Sequence, residues 1–114
     1  IVLGWMVSEP ALSKTAIKVL LNLALIAGDA LVRGGQLDVG AEGPEIVIRA
    51  EGPRLVLDSE LKDALLGWTN PEALTPRAAA AWLVHKLATD AGGSVQVSEP
   101  AEGVLVFGAT LPRA

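Results

Sequence analysis

The chain has no cysteine, no tyrosine, and only one histidine, one methionine and one phenylalanine in 114 residues. Without cysteine there is no disulfide scaffold and no thiolate zinc site, and a reducing cytoplasm is the expected compartment. A single histidine leaves no cluster of nitrogen ligands, so no metal site and no cofactor are expected. No Ser/His/Asp arrangement has motif context, and no phosphate loop with its lysine is present. Long apolar runs are missing too. The longest, Val19 to Gly28, is interrupted by Asn22 and falls far short of the roughly 20 residues that span a bilayer. Its flanks, Lys18 and Asp29, do not suit a signal peptide, and no membrane partner is expected. Nine basic residues against thirteen acidic ones leave a net charge of -4. The basic residues are scattered, which argues against nucleic acid, whose phosphates call for clustered Lys and Arg.

What is present is aliphatic. Hydrophobic residues make up 51% of the chain, high for a domain that buries roughly two-thirds of its unfolded surface. Part of this apolar content is expected on surface that packs against a partner or a missing segment. The chain opens on Ile1 rather than Met, and an upstream segment is expected.

The pattern predicts one domain over residues 1–114. Residues 1–7 read as an edge strand, and Pro10 separates it from a long helix. Ser13 is the predicted N-cap, with Leu12 and Ile17 at the two staple positions, and the helix runs to about Val32 before Gly34-Gly35. Lys14, Lys18, Asn22, Asp29 and Arg33 fall in one narrow polar stripe, so the rest of its circumference is expected to be buried. A hairpin follows, with strands over 36–41 and 45–51 joined by a Gly-Pro turn. Residues 54–57 continue extended. Asp58 or Ser59 caps a short helix, 60–66, which Gly67 ends. Residues 67–76, GWTNPEALTP, form a loop, a helix spans about 76–91, and strands 94–98 and 104–111 close the chain. The order β-α-ββ-α-α-ββ gives an α/β, or α+β, two-layer sandwich: a mixed, mainly antiparallel sheet covered by helices on one face.

Three stretches carry a resemblance. Lys18 to Ala30, KVLLNLALIAGDA, looks like the kinase helix pattern N-L-x-x-N-A. Glu45 to Leu55, EIVIRAEGPRL, is similar to the V-x-D-x-G-x-G segment. Thr75 to Pro112, TPRAAAAWLVHKLATDAGGSVQVSEPAEGVLVFGATLP, has the helix, Gly-Gly turn and two strands that end such domains. Together they resemble the GHKL, or Bergerat, ATP-binding fold of histidine kinases over about residues 12–112. Aligned on those patterns, the nucleotide site is vestigial. The first Asn survives as Asn22, but the Mg²⁺-holding Asn falls on Ile26, which offers no oxygen ligand. The adenine-binding Asp falls on Ala50. Gly52 remains, while the next glycine falls on Arg54. The Gly-x-Gly that admits phosphate falls on the run Ala78 to Ala81, including Ala80, whose methyl groups obstruct close backbone approach. Loop 67–76 stands where a long lid would be.

The strings LLNLALIAGDALVRGG and LDSELKDALLG resemble the ChpT-type histidine phosphotransferases in particular. That resemblance implies a C-terminal domain that does not bind ATP, in a homodimeric carrier. Its phosphoacceptor histidine would lie on an upstream helical hairpin absent from this chain. The implied partners are the receiver domains of a hybrid histidine kinase and of a response regulator, which would bring their own Mg²⁺. The alternatives are a non-catalytic adaptor or scaffold and a divergent GHKL ATPase.

His85 lies at mid-helix with Trp82, Lys86 and Thr89, opposite Ala80, Leu83, Val84 and Leu87, and an exposed position is predicted. Exposure suits a phosphoacceptor, but Lys86 stands where kinase motifs place an acidic residue. His85-Lys86-Leu87-Ala88-Thr89 does not meet the carrier pattern H-x-L-K-G either. His85 is therefore read as a surface histidine, and no catalytic residue is assigned in this chain. Candidates for partner contact are Trp68 and Asn70 (with Thr69) in the loop, Arg77 after it, and Trp82, which the helical wheel places among polar residues as an exposed anchor. The competing view of the loop is a solvated segment with one tryptophan tucked into the core. Glu60 and Asp63 are read as ordinary surface charges.

Overall fold

Residues 2–7, 13–70, 72, 74–98 and 101–112 are described by a computed structural model, the side chains of Met6, Val7 and Arg77 excepted. Alternation of apolar and polar residues builds its sheet. In β2 (Gln36–Glu42) Leu37, Val39 and Ala41 are buried; in β3 (Glu45–Glu51) Ile46, Ile48 and Ala50 are; in β5 (Val104–Thr110) Leu105, Phe107 and Ala109 are. These nine residues lie in register across three antiparallel strands, with Ile48 opposite Val39 on one side and Phe107 on the other. β1 (Val2–Val7) joins β2 in parallel at one edge, and the short β4 (Ser94–Val97) pairs antiparallel with β5 at the other. The sheet order is β1-β2-β3-β5-β4. The three helices, α1 (Lys14–Ala30), α2 (Ser59–Leu66) and α3 (Pro76–Asp90), lie over the apolar face, as the two-layer expectation requires. Gln36, Asp38, Arg49 and Glu51 occupy the opposite face, where Arg49 pairs with both Asp38 and Glu51.

The helix ends follow local chemistry. Ser13 Oγ accepts from the Ala16 amide at 3.1 Å and starts α1. Pro10 and Leu12, the other half of the predicted staple, lie outside the described residues. α1 ends at Ala30, two residues before the expected Val32, because Leu31 turns away to bridge Leu55 while the Val56 amide donates to the Ala30 carbonyl at 2.9 Å. Asp58 is the cap of α2, its carboxylate accepting from the Glu60 amide at 2.8 Å. Thr75 caps α3, with Pro76 in the first turn, where a missing N–H costs nothing.

Two expectations about buried faces need correction. α1 buries Ala16, Val19, Leu20, Leu23, Ile26, Ala27 and Ala30 against the sheet, but Ile17, Leu21 and Leu25 stand exposed, Leu25 at 69%. Burial on most of its circumference was expected; a single sheet under one flank and α3 beside the other cover only part of it. In α3 the buried face is Ala78, Ala81, Val84 and Ala88, with the C-cap Ala91. Leu83 is 43% exposed, while Trp82 packs partly against the core. Of the face expected to turn inward, Val84 is fully buried and Leu87 packs partly against the core, and Leu83 is the departure. The buried face is shifted toward Ala78, Ala81 and Ala88, small side chains that let neighbouring elements approach closely.

Candidate functional site

Above the sheet, between the three helices, a shallow groove of about 200 Å³ is lined by Asn22, Leu25, Ile26 and Asp29 of α1, Leu61 of α2 and Ala80 of α3. Three of the positions read from sequence as a vestigial nucleotide site, Asn22, Ile26 and Ala80, therefore meet in one place. Spacing of four residues along α1 puts Asn22 and Ile26 on one flank, and α3 brings Ala80 across from them. The Asn22 side-chain amide donates to the Lys18 carbonyl at 2.8 Å, one turn back in its own helix. Ile26 is almost fully buried, and the groove floor at that point is hydrocarbon.

The other positions of that reading do not line the groove. Ala50 is completely buried in β3, between Leu37 and Leu105 on the neighbouring strands. Ala78 is likewise buried, in the first turn of α3. Arg54 is exposed beyond the end of β3. Gly52 has a structural reason to be glycine: a Cβ there would press on the Gly34 carbonyl and stand 3.0 Å from Leu31, while its N–H donates to the Gly103 carbonyl at 3.0 Å. It holds two loops together, and nothing about its place requires a nucleotide.

A second cluster lies at the junction of α2 and α3. Gly67 ends α2 in the left-handed region at φ 77°, and the Gly67 and Trp68 amides close the helix on the Ala64 and Asp63 carbonyls. The His85 imidazole lies directly over Gly67, where any Cβ would collide with the ring. The Trp82 ring stacks on the same imidazole, with centroids 5.1 Å apart. His85 is thus half-buried between a helix end and an indole, not the exposed residue expected from the helical wheel. Trp82 is correspondingly less exposed than its polar neighbours implied. Trp68, by contrast, projects outward at 73% exposure, so it is not tucked into the core. Asn70 is exposed, and its side-chain oxygen accepts from the Glu72 amide at 3.0 Å. Arg77 stands in the first turn of α3, its side chain outside the described residues.

One participant escaped the sequence reading. Glu60, read as a plain surface charge, accepts from the Thr75 hydroxyl at 2.9 Å and so ties α2 to the cap of α3 across the loop. A contact between residues fifteen apart leaves no periodic trace in sequence. Among the described residues no cluster of His, Asp and Glu is placed to hold a metal ion, and no helix is long and apolar enough to cross a membrane.

Comparison with known proteins bears on this arrangement. A family model described as "Histidine phosphotransferase C-terminal domain" matches residues 1–103. A solved bacterial phosphotransferase is 28% identical, with a TM-score of 0.81 over 95% of this chain; the chain spans 54% of that protein, about half its length. Full-length ShkA in complex with AMPPNP (19% identity, TM-score 0.62) matches over 99% of this chain and 26% of its own. The catalytic domain of the histidine kinase ThkA (19%, 0.59) matches over 96% of this chain and 79% of its own. At those identities the kinases share the fold. No curated protein sequence matches the chain.

Proposed function

Since the chain belongs to the histidine phosphotransferase C-terminal domain family, we propose that it is the partner-holding half of a phosphorelay carrier and binds no ATP. The family match over residues 1–103 carries the proposal, and its role is phosphotransfer in signalling. The rest of the carrier, on this proposal, is an upstream helical hairpin that dimerises and bears the phosphoacceptor histidine. An imidazole nitrogen of that histidine attacks the phosphorus of an aspartyl phosphate on a hybrid-kinase receiver, and the P–O bond breaks to free the aspartate carboxylate. A carboxylate oxygen of the response-regulator aspartate then attacks the same phosphorus, and the P–N bond breaks to return the imidazole. The loop with Trp68 and Asn70, continuing to Arg77, is the surface proposed to hold the receivers.

Loss of nucleotide binding is supported by the chemistry of the groove. Its volume of about 200 Å³ is below the ~300–1,000 Å³ of pockets that enclose sizeable ligands. Ile26 supplies hydrocarbon where a magnesium site needs oxygen. No role falls to His85, whose ring is packed on Gly67 and Trp82.

The test uses the protein with its upstream segment and a phosphorylated receiver. Acid-labile phosphate is expected on the carrier, lost when the hairpin histidine is replaced and retained in His85→Ala. The reverse pattern would reassign the phosphoacceptor, and no transfer at all would leave a scaffold. Calorimetric titration with Mg-ATP is expected to give no binding heat; clear micromolar affinity would identify a divergent ATPase.

A further inference from the structure

The two edges of the sheet are finished differently. β4 is four residues long and carries Ser94 and Gln96, a short polar edge of the kind that discourages pairing with other chains. β1 is six residues long and reads VLGWMV, with no charge and no proline. The Val2 amide donates to the Gly35 carbonyl at 2.8 Å, which sets the parallel ladder: Val2, Gly4 and Met6 bond to β2, while the backbone groups of Leu3 and Trp5 point outward. By register Leu3 and Trp5 share the helix-bearing face with Leu37 and Val39. They remain 61% and 56% exposed because α1 lies mainly over β2, β3 and β5 and leaves the edge uncovered at these residues. The flank of α1 turned away from α3 adds the exposed Ile17 and Leu21 on the same side.

We propose that β1 is a contact between two copies of this chain, paired antiparallel about a two-fold axis at Gly4. That register sets Leu3 opposite Trp5 of the second copy and Trp5 opposite its Leu3. Both are residues whose N–H and C=O face outward, so each pair exchanges two hydrogen bonds. The axis stands perpendicular to the sheet, so both helix layers stay on one side. The four large side chains then gather over the joint, walled by Ile17 and Leu21 of each copy. A second copy suits the edge better than another partner for two reasons. An isologous contact needs only self-complementarity, which this register supplies. The strand is also the uncharged element at which two chains of net charge -4 can meet. The contact is separate from the hairpin dimer of the proposed carrier and does not depend on it.

Two edge strands bury less than the ~1,200–2,000 Å² of a standard interface, so the pairing is concentration-dependent. Sedimentation of the 114-residue chain, in a series reaching roughly 1 mM, is expected to show a monomer–dimer equilibrium. Trp5→Lys and Leu3→Lys are expected to weaken it at least about tenfold, while Leu25→Lys, on the exposed crest of α1, leaves it unchanged. Hydrogen exchange over the same series is expected to show the Leu3 and Trp5 amides becoming protected as the dimer forms. A chain that stays monomeric throughout, a dimer that survives Trp5→Lys, or one abolished by Leu25→Lys would overturn the proposal. So would Leu3 and Trp5 amides that stay unprotected in the dimer.

Discussion

Gly67 is constrained twice over. Its φ of 77° lies where a side chain is strained, and the His85 ring occupies the space a Cβ would need. Gly67→Ala is therefore expected to cost about 1–3 kcal/mol, measured by urea unfolding. In a His85→Ala background part of that cost returns, since the collision is relieved while the backbone strain stays; a double-mutant cycle with no coupling would contradict the contact. The leucines of α1 make a paired prediction. Leu23 is fully buried and Leu25 is 69% exposed. Leu23→Ala is expected to cost about 2–5 kcal/mol, and Leu25→Ala to stay within about 0.5 kcal/mol. At this scale sequence was a partial guide. Identity alone reads Ile26 and Ala50 as unfit for nucleotide; of the two, Ile26 lines the groove and Ala50 is buried in the sheet. The reason Gly52 survives, a carbonyl of Gly34 pressed against it, belongs to two loops that only the fold brings together.

Among the elements, the α2–α3 junction turns on one side chain. Thr75 Oγ1 accepts from the Ala78 amide at 3.3 Å and donates to Glu60 at 2.9 Å, so one hydroxyl both starts α3 and fastens it to α2. Thr75→Ala is expected to cost about 1 kcal/mol, typical of a lost N-cap, and to speed hydrogen exchange across the loop after Gly67. Glu60→Ala should raise exchange in the same loop with a smaller loss of stability, roughly 0.5–1.5 kcal/mol. Unchanged exchange in both variants would mean that the clamp does not order the loop. Element boundaries were largely legible because caps and turns have their own residue types: Ser13, the Gly43-Pro44 turn and Gly67 stand where the pattern places them. The face of α3 was legible only in part: Val84 is buried as placed, but hydrophobic size ranks Leu83 above Ala81, and close packing reverses that preference.

For the whole molecule, the centre of gravity is the row in which Val39, Ile48 and Phe107 lie side by side, each fully buried. Phe107→Ala is expected to cost about 3–5 kcal/mol and to lower the melting temperature of every element together, since one core serves all three helices. The architecture was legible as a whole because apolar alternation in β2, β3 and β5 permits one face only. Asn22, Ile26 and Ala80 could be grouped from sequence, but the shape of the groove could not, because its lining comes from three helices. The chain's three tryptophans also fall in three settings: Trp5 on an open strand edge, Trp68 projecting from a loop, and Trp82 against an imidazole. Each keeping one indole, three single-tryptophan variants would act as separate optical reporters. Their emission would distinguish events at the edge, at the loop and within the helix seam without any attached dye.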